Sequence, residues 1–361
     1  MKDIRMILPN MASDTAGAAS MLFALEGLTV IHDAAGSMES FITFDEARDL
    51  EGRHVVASRL SRLEAITGDD GILLEKLEQE CEGDRPPFVA VLGSPVPFTI
   101  GTDLEGIAEE ARWRTGVPAF GVNSGGFATY DKGGAEALKK VIAATVQPRP
   151  PRKGVVNLLG AWPMDYSTAE LEGIRQNVLE SGAKLVRTLT CARGMEEMYL
   201  AAEAEHNLVI SLAGLSAARY MERTFGIPYT VGVPIAGAAD WPEGAAGRRV
   251  LVLGEAVLTK GLVQNMVQAG ITAVAGITAW NDPQIFPGVP ALVLDTEEKL
   301  RRELAKPYDL IVGDPLYRLL MPRDPKAKFV ERPHRALSGR LYPPAEETLE
   351  QLTIKMKEGL L

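Results

Sequence analysis

The chain has 361 residues, 46% of them hydrophobic and 24% charged, which is long enough for two or three cores and ordinary for a globular protein. A net charge of -10 without a clustered basic stretch argues against a nucleic-acid partner, and no apolar run reaches the ~18–20 residues of a membrane-spanning helix. Two cysteines, Cys81 and Cys191, supply neither a disulfide framework nor a metal knuckle, so a reduced, cytoplasmic compartment is expected.

From the start, MKDIRMILPN has no apolar stretch with a small-residue cleavage site and reads as a first strand, near Ile4–Leu8. Further strands are expected near Leu28–His32, His54–Ala57, Phe88–Gly93 and Pro118–Val122, with helices near Ala16–Leu25, Gly71–Cys81, Asp103–Thr115 and Gly133–Ala144. The stretch VQPRPPRKG, Val146–Gly154, is rich in proline and cations and predicts a linker. A second block offers strands near Val155–Leu159, Lys184–Leu189, Leu208–Leu212 and Tyr229–Val233, with helices near Thr168–Ser181, Gly194–Ala204 and Leu215–Thr224. After a turn-rich stretch, Ala236–Gly247, a third block has strands near Arg249–Leu253, Ala273–Ile277, Ala291–Leu294, Leu310–Val312 and Lys328–Val330, and a closing helix near Ala345–Lys357. Short β-branched runs alternating with helices imply parallel sheets covered on both faces. The expectation is α/β: three Rossmann-like domains over residues 1–150, 151–245 and 246–361.

In such sheets the ligand crevice lies off the carboxyl ends of the strands. Those loops carry Asn123, Phe127, Cys191, Arg193, Ser211, Glu255, Asp314, His334 and Arg340. Two arginines and a histidine suit an anionic ligand, with His334 as proton donor because it alone of the four histidines lies in a polar loop beside arginines. Inter-domain salt bridges would account for the same charges, and a buried small hydrophobe for Cys191. No strand is followed by G-x-G-x-x-G, and no phosphate-binding G-x-x-x-x-G-K-[ST], G-x-S-x-G elbow or H-E-x-x-H occurs. Cys81 falls within a predicted helix and reads as structural.

Several segments, taken in order, resemble component 1 of nitrogenase and its relatives, the protochlorophyllide and chlorophyllide reductases, the cofactor scaffold and the nickel-tetrapyrrole cyclase. They are SDTAGA (from Ser13), HDAAGS (from His32), IGTDLE (Ile100–Glu105), VNSGGF (Val122–Phe127), VNLLG (Val155–Gly160), NLVISLAGLSAARYMERTFGIPY (Asn207–Tyr229) and DLIVGDPLYRLL (Asp309–Leu320). The resemblance implies three Rossmann-like domains around a cofactor or substrate pocket, with subunits meeting at the surface that carries the cluster turns. Where the family has bridging-cluster cysteines this chain has Ser13, Ser37 and Ser94, and where the catalytic cofactor's cysteine follows N-L-V-x it has Ser211. A thiolate is a soft ligand available near neutral pH, whereas an alkyl hydroxyl is hard and stays protonated. The chain alone is therefore expected to hold no iron–sulfur cluster, any cluster requiring a partner. Asp14 and Asp33 stand beside the turns as possible carboxylate ligands or, more simply, as helix caps or partners of cations.

Three functions follow as alternatives. One is a reductase subunit, fed electrons by an iron-protein-like ATPase and acting on a tetrapyrrole-like or anionic substrate. Another is a cluster-free scaffold paired with a cysteine-bearing homologue. The third is a self-paired small-molecule binder. Pairing, as homodimer or heterodimer, is expected through the first domain, where Ala16–Ala19 and Ala34–Gly36 permit close approach.

Overall fold

The computed structural model describes residues 5–34, 55–83, 85–191, 194–238, 240–339, 341–342 and 346–361. Within them lie three fully parallel sheets. The first has β1 (Leu28–Ile31), β2 (Val55–Ala57), β3 (Val89–Leu92) and β4 (Ala119–Val122) in the order β2-β1-β3-β4. The second has β5 (Arg152–Leu159), β6 (Leu185–Arg187), β7 (Ala204–Val209) and β8 (Tyr229–Val231) in the order β6-β5-β7-β8. The third has β9 (Arg249–Gly254), β10 (Thr272–Ile277), β11 (Ala291–Val293), β12 (Leu310–Gly313) and β13 (Lys328–Glu331) in the order β11-β10-β9-β12-β13. Each sheet starts in its middle, winds one way, then returns to wind the other. The switch points lie between β1 and β3, β5 and β7, and β9 and β12. No helix among the described residues is long and apolar enough to cross a membrane.

The central strands are apolar runs because both faces are covered: LTVI in β1 and VAVL in β3 are buried at every residue. The small residues of the first helix, Asp14–Leu22, serve this packing. Gly17 and Gly133 let that helix and the helix Tyr130–Thr145 touch backbone to backbone, since a Cβ on Gly17 would lie 1.9 Å from the Tyr130 carbonyl and one on Gly133 1.8 Å from that of Asp14. Ala18 and Ala19 are wholly buried. Of the two stretches expected to admit a second chain, Ala16–Ala19 is thus consumed inside this one, while Ala35 and Gly36 of the other lie outside the described residues.

Two other expectations change. The linker closes earlier, for β5 already runs from Arg152. The segment expected as a first strand joins no sheet over its described residues. Instead the amides of Met6, Ile7 and Leu8 all donate to one Glu297 carboxylate oxygen, at 2.9, 2.9 and 3.1 Å, while Leu8 is buried beside Leu251 and Ile311. Burial raises the Glu297 pKa, but those amides outweigh it and hold the group at about 2. A depressed carboxyl stabilises the attachment above its unfolded value of 4.5, and that stabilisation is lost as pH falls towards 2. Glu297→Ala is expected to abolish hydrogen-exchange protection at Met6–Leu8 at neutral pH while leaving the β9 and β12 amides slow; protection surviving at Met6–Leu8 would refute this role.

Candidate functional site

At the first switch point, every serine and carboxylate of the degenerate turns that is described serves the chain itself. Ser13 caps the first helix, accepting from the Ala16 amide at 3.3 Å. Asp14 accepts from the amides of Thr15 (3.1 Å) and Gly125 (2.9 Å). Ser94 is buried and donates to the His32 carbonyl at 2.9 Å. Asp33 accepts from the Ala34 amide at 2.7 Å, and His32 Nδ1 lies 2.9 Å from the Ser58 hydroxyl. Burial lowers the His32 pKa, opposed by Asp70 and Asp33. Ser37 lies outside the described residues. Among the described residues no three His, Cys, Asp or Glu side chains are grouped to hold a metal ion.

Asn123 and Phe127, expected in the inter-domain pocket, instead face solvent on this same side. Phe127 is 73% exposed and stacks against Phe98, 61% exposed, with ring centroids 5.7 Å apart. The strand-end rule places them at the correct end of the sheet; it does not say which side of β4 the loop turns towards.

Ser211, Glu255, Asp314 and His334 are brought together, in the interior where the loops of all three sheets meet. All four are buried. Ser211 donates to the Gly160 carbonyl at 3.0 Å. Glu255 accepts from the Leu212 amide at 2.9 Å and, at the start of its own helix, from Val257 (2.8 Å) and Leu258 (3.1 Å). Burial, with the charge of Asp165, pushes Glu255 up to about 8 despite those amides. Asp314 accepts from the His334 amide at 2.7 Å. His334 turns its Nε2 inward, 3.2 Å from Asp165 and 3.0 Å from the Tyr130 hydroxyl.

Asp165 is the centre of this cluster. One oxygen receives the Tyr130 hydroxyl (2.5 Å) and faces His334, and the other receives the Trp162 indole (2.6 Å). Burial favours the neutral acid, but His334, Tyr130 and Trp162 together hold the carboxyl below its ordinary range. Arg332 closes one side, donating to the Asp165 carbonyl at 2.7 Å and pairing with Glu170 at 2.9 Å. Tyr130 and Trp162 are fully buried and stacked, with centroids 5.5 Å apart and planes 21° apart. Tyr130, Trp162 and Arg332 carry no sequence motif; the Trp-x-x-Asp spacing directly after β5 is the one signal that points here.

Cys191 is exposed, with its thiol 2.9 Å from the Ala161 carbonyl, and borders a cleft of about 330 Å³ shared with Pro163, Tyr166, Leu171, Arg175 and Thr188. Arg193 and Arg340 lie outside the described residues.

This arrangement, three doubly wound sheets with their strand ends turned to one centre, agrees with the comparisons. The profile of nitrogenase component 1 type oxidoreductases matches residues 13–241. The chain belongs to this family. Among curated relatives, the nitrogenase iron-molybdenum cofactor biosynthesis protein NifE of Bradyrhizobium diazoefficiens is 27% identical over 189 residues, covering 50% of this chain and 33% of the relative. NifE of Nostoc is 27% identical over 176 residues, 47% and 36% of the two chains. The matched region is thus about a third of those relatives' length. A solved structure, "Nitrogenase Cp1 at pH 6.5", superposes over all of this chain and 93% of the other with a TM-score of 0.73 at 13% identity, so the component 1 fold extends beyond the matched region.

Proposed function

We propose that this component 1 type chain is a cluster-free assembly or binding subunit, which pairs with a second component 1 type chain through the side of the first sheet that bears the Ser13 and Ser94 turns. The observation that carries the reading is the contrast on that side. Ser13 and Ser94 are spent on a helix cap and a buried backbone bond, whereas Val96, Phe98, Ile100 and Phe127 beside them are exposed. Leu63 and Ile66, 70% and 71% exposed, lie on the neighbouring helix Arg62–Thr67. Contiguous exposed apolar surface marks an interaction site. The similarity to proteins named for cofactor biosynthesis supports assembly over turnover. In a reductase built from such a pair, the cluster and the docking of an iron-protein-like ATPase would depend on the cysteine-bearing partner.

Light scattering after gel filtration, on the chain alone and mixed with a cysteine-bearing component 1 chain, tests this. A complex is expected in at least one case, and Phe98→Glu with Phe127→Glu is expected to weaken it by a factor of about 100 or more, the loss of two aromatic anchors. A chain that stays monomeric in both, or a complex indifferent to the double substitution, would overturn the reading.

A further inference from the structure

We infer that the junction of the three sheets, where the resemblance places a cofactor chamber, is in this chain a closed lock: Asp165, Tyr130, Trp162 and His334 occupy it and join the domains, and no metal cofactor fits there. This does not depend on pairing through the first sheet.

The first ground is space. Ser211 is wholly buried, and a Cβ built on Gly160 would lie 2.4 Å from its hydroxyl oxygen and 3.0 Å from the Gly214 nitrogen. A gap too small for one methyl group admits no iron–sulfide edge. A Cβ on Gly134 would likewise lie 2.5 Å from the Trp162 ring. The second ground is donor chemistry. The Ser211 hydroxyl already donates to Gly160, and the Leu212, Val257 and Leu258 amides, which at helix starts would greet an anion, are taken by Glu255. Among the described residues of this cluster, what remains is His334 Nδ1, buried without a hydrogen-bond partner. A single imidazole lone pair with no thiolate beside it does not hold an iron–sulfur-based group.

The third ground is connectivity. Tyr130 begins the helix that follows β4, Trp162 and Asp165 follow β5, and His334 follows β13. One carboxylate therefore receives donors rooted in all three sheets. Such a node fixes how the sheets sit together, the task that a bound group would otherwise perform.

The test uses the full chain. Ser211→Cys, prepared without oxygen and incubated with ferrous iron and sulfide, is expected to retain no more iron after gel filtration than the wild type treated alike. Trp162→Ala is expected to speed amide exchange together in the loops after β4, β5 and β13, by about tenfold or more, because opening the node frees all three. Trp162→Phe, which keeps the stacking but loses the indole donor, is expected to fall between. Stoichiometric iron in Ser211→Cys, or in the wild type with loss in His334→Ala, would show that the chamber opens and would overturn the inference. So would exchange that quickens only in the loop after β5. A monomeric chain with the lock intact would count against the pairing proposal alone.

Discussion

Asp165→Ala is expected to destabilise the chain by about 3–5 kcal/mol, a large share of the 5–15 kcal/mol by which domains usually exceed their unfolded state. The substitution leaves the Tyr130 hydroxyl and the Trp162 indole without their carboxylate acceptor, both on fully buried side chains, and takes away the carboxylate beside the His334 Nε2. The dominant cost is stranded donors rather than a lost contact, so Asp165→Asn, which keeps one acceptor oxygen, is expected to cost less. The wild-type carboxyl is held below its ordinary range. A depressed folded pKa stabilises above the unfolded value and is lost in acid, so the penalty of Asp165→Ala should shrink as pH falls below about 4. Denaturant titrations at pH 7 and pH 3 read both effects. A cost under about 1 kcal/mol at pH 7 would mean that the node bears little of the fold.

Glu255 gives the opposite pH behaviour. Its folded pKa of about 8 stands above its unfolded value of 4.5, so its contribution is complete at low pH and is lost as pH rises through about 8. Each pH unit between those values costs at most about 1.4 kcal/mol for one proton, so about 2–3 kcal/mol should vanish between pH 6 and pH 8. Asp131 is also raised, to about 6, mainly by burial, and the buried His32 titrates the other way. The difference between the wild type and Glu255→Gln removes both from the comparison. That difference should grow in favour of the glutamine variant as pH rises from 6 to 8. A flat difference would show that Glu255 is already ionised at pH 6, its three amide donors prevailing over burial and the Asp165 charge.

The sheets were legible because parallel strands buried on both faces leave apolar runs such as VAVL at β3 and VLVL within β9, each followed by a small or polar turn. What the pattern could not show was non-local. The Met6–Leu8 amides turn away from any sheet because Glu297, about 290 residues on, accepts all three. The short helix Pro95–Ile100 hid behind two prolines, of which Pro95 stands at its first position, where no amide is needed. In the interior, Ser211, Glu255, Asp314 and His334 could be named because each follows a strand end. Their neighbours could not: Tyr130 reads as an ordinary helix start and Trp162 as part of a turn, and only the packing of three sheets sets both against Asp165. Asn123 and Phe127 passed the same strand-end criterion and proved exposed, because that criterion selects an end of the sheet and not a direction.

The most direct measurement is the iron content and visible spectrum of the full chain, purified without oxygen and passed through gel filtration. Thiolate-bound clusters absorb broadly near ~400 nm. With Ser13 and Ser94 committed to a helix cap and a carbonyl, and the interior closed around Asp165, the protein is expected to be colourless, with iron far below one atom per chain. Several irons per chain, co-eluting with a band near ~400 nm, would contradict the account.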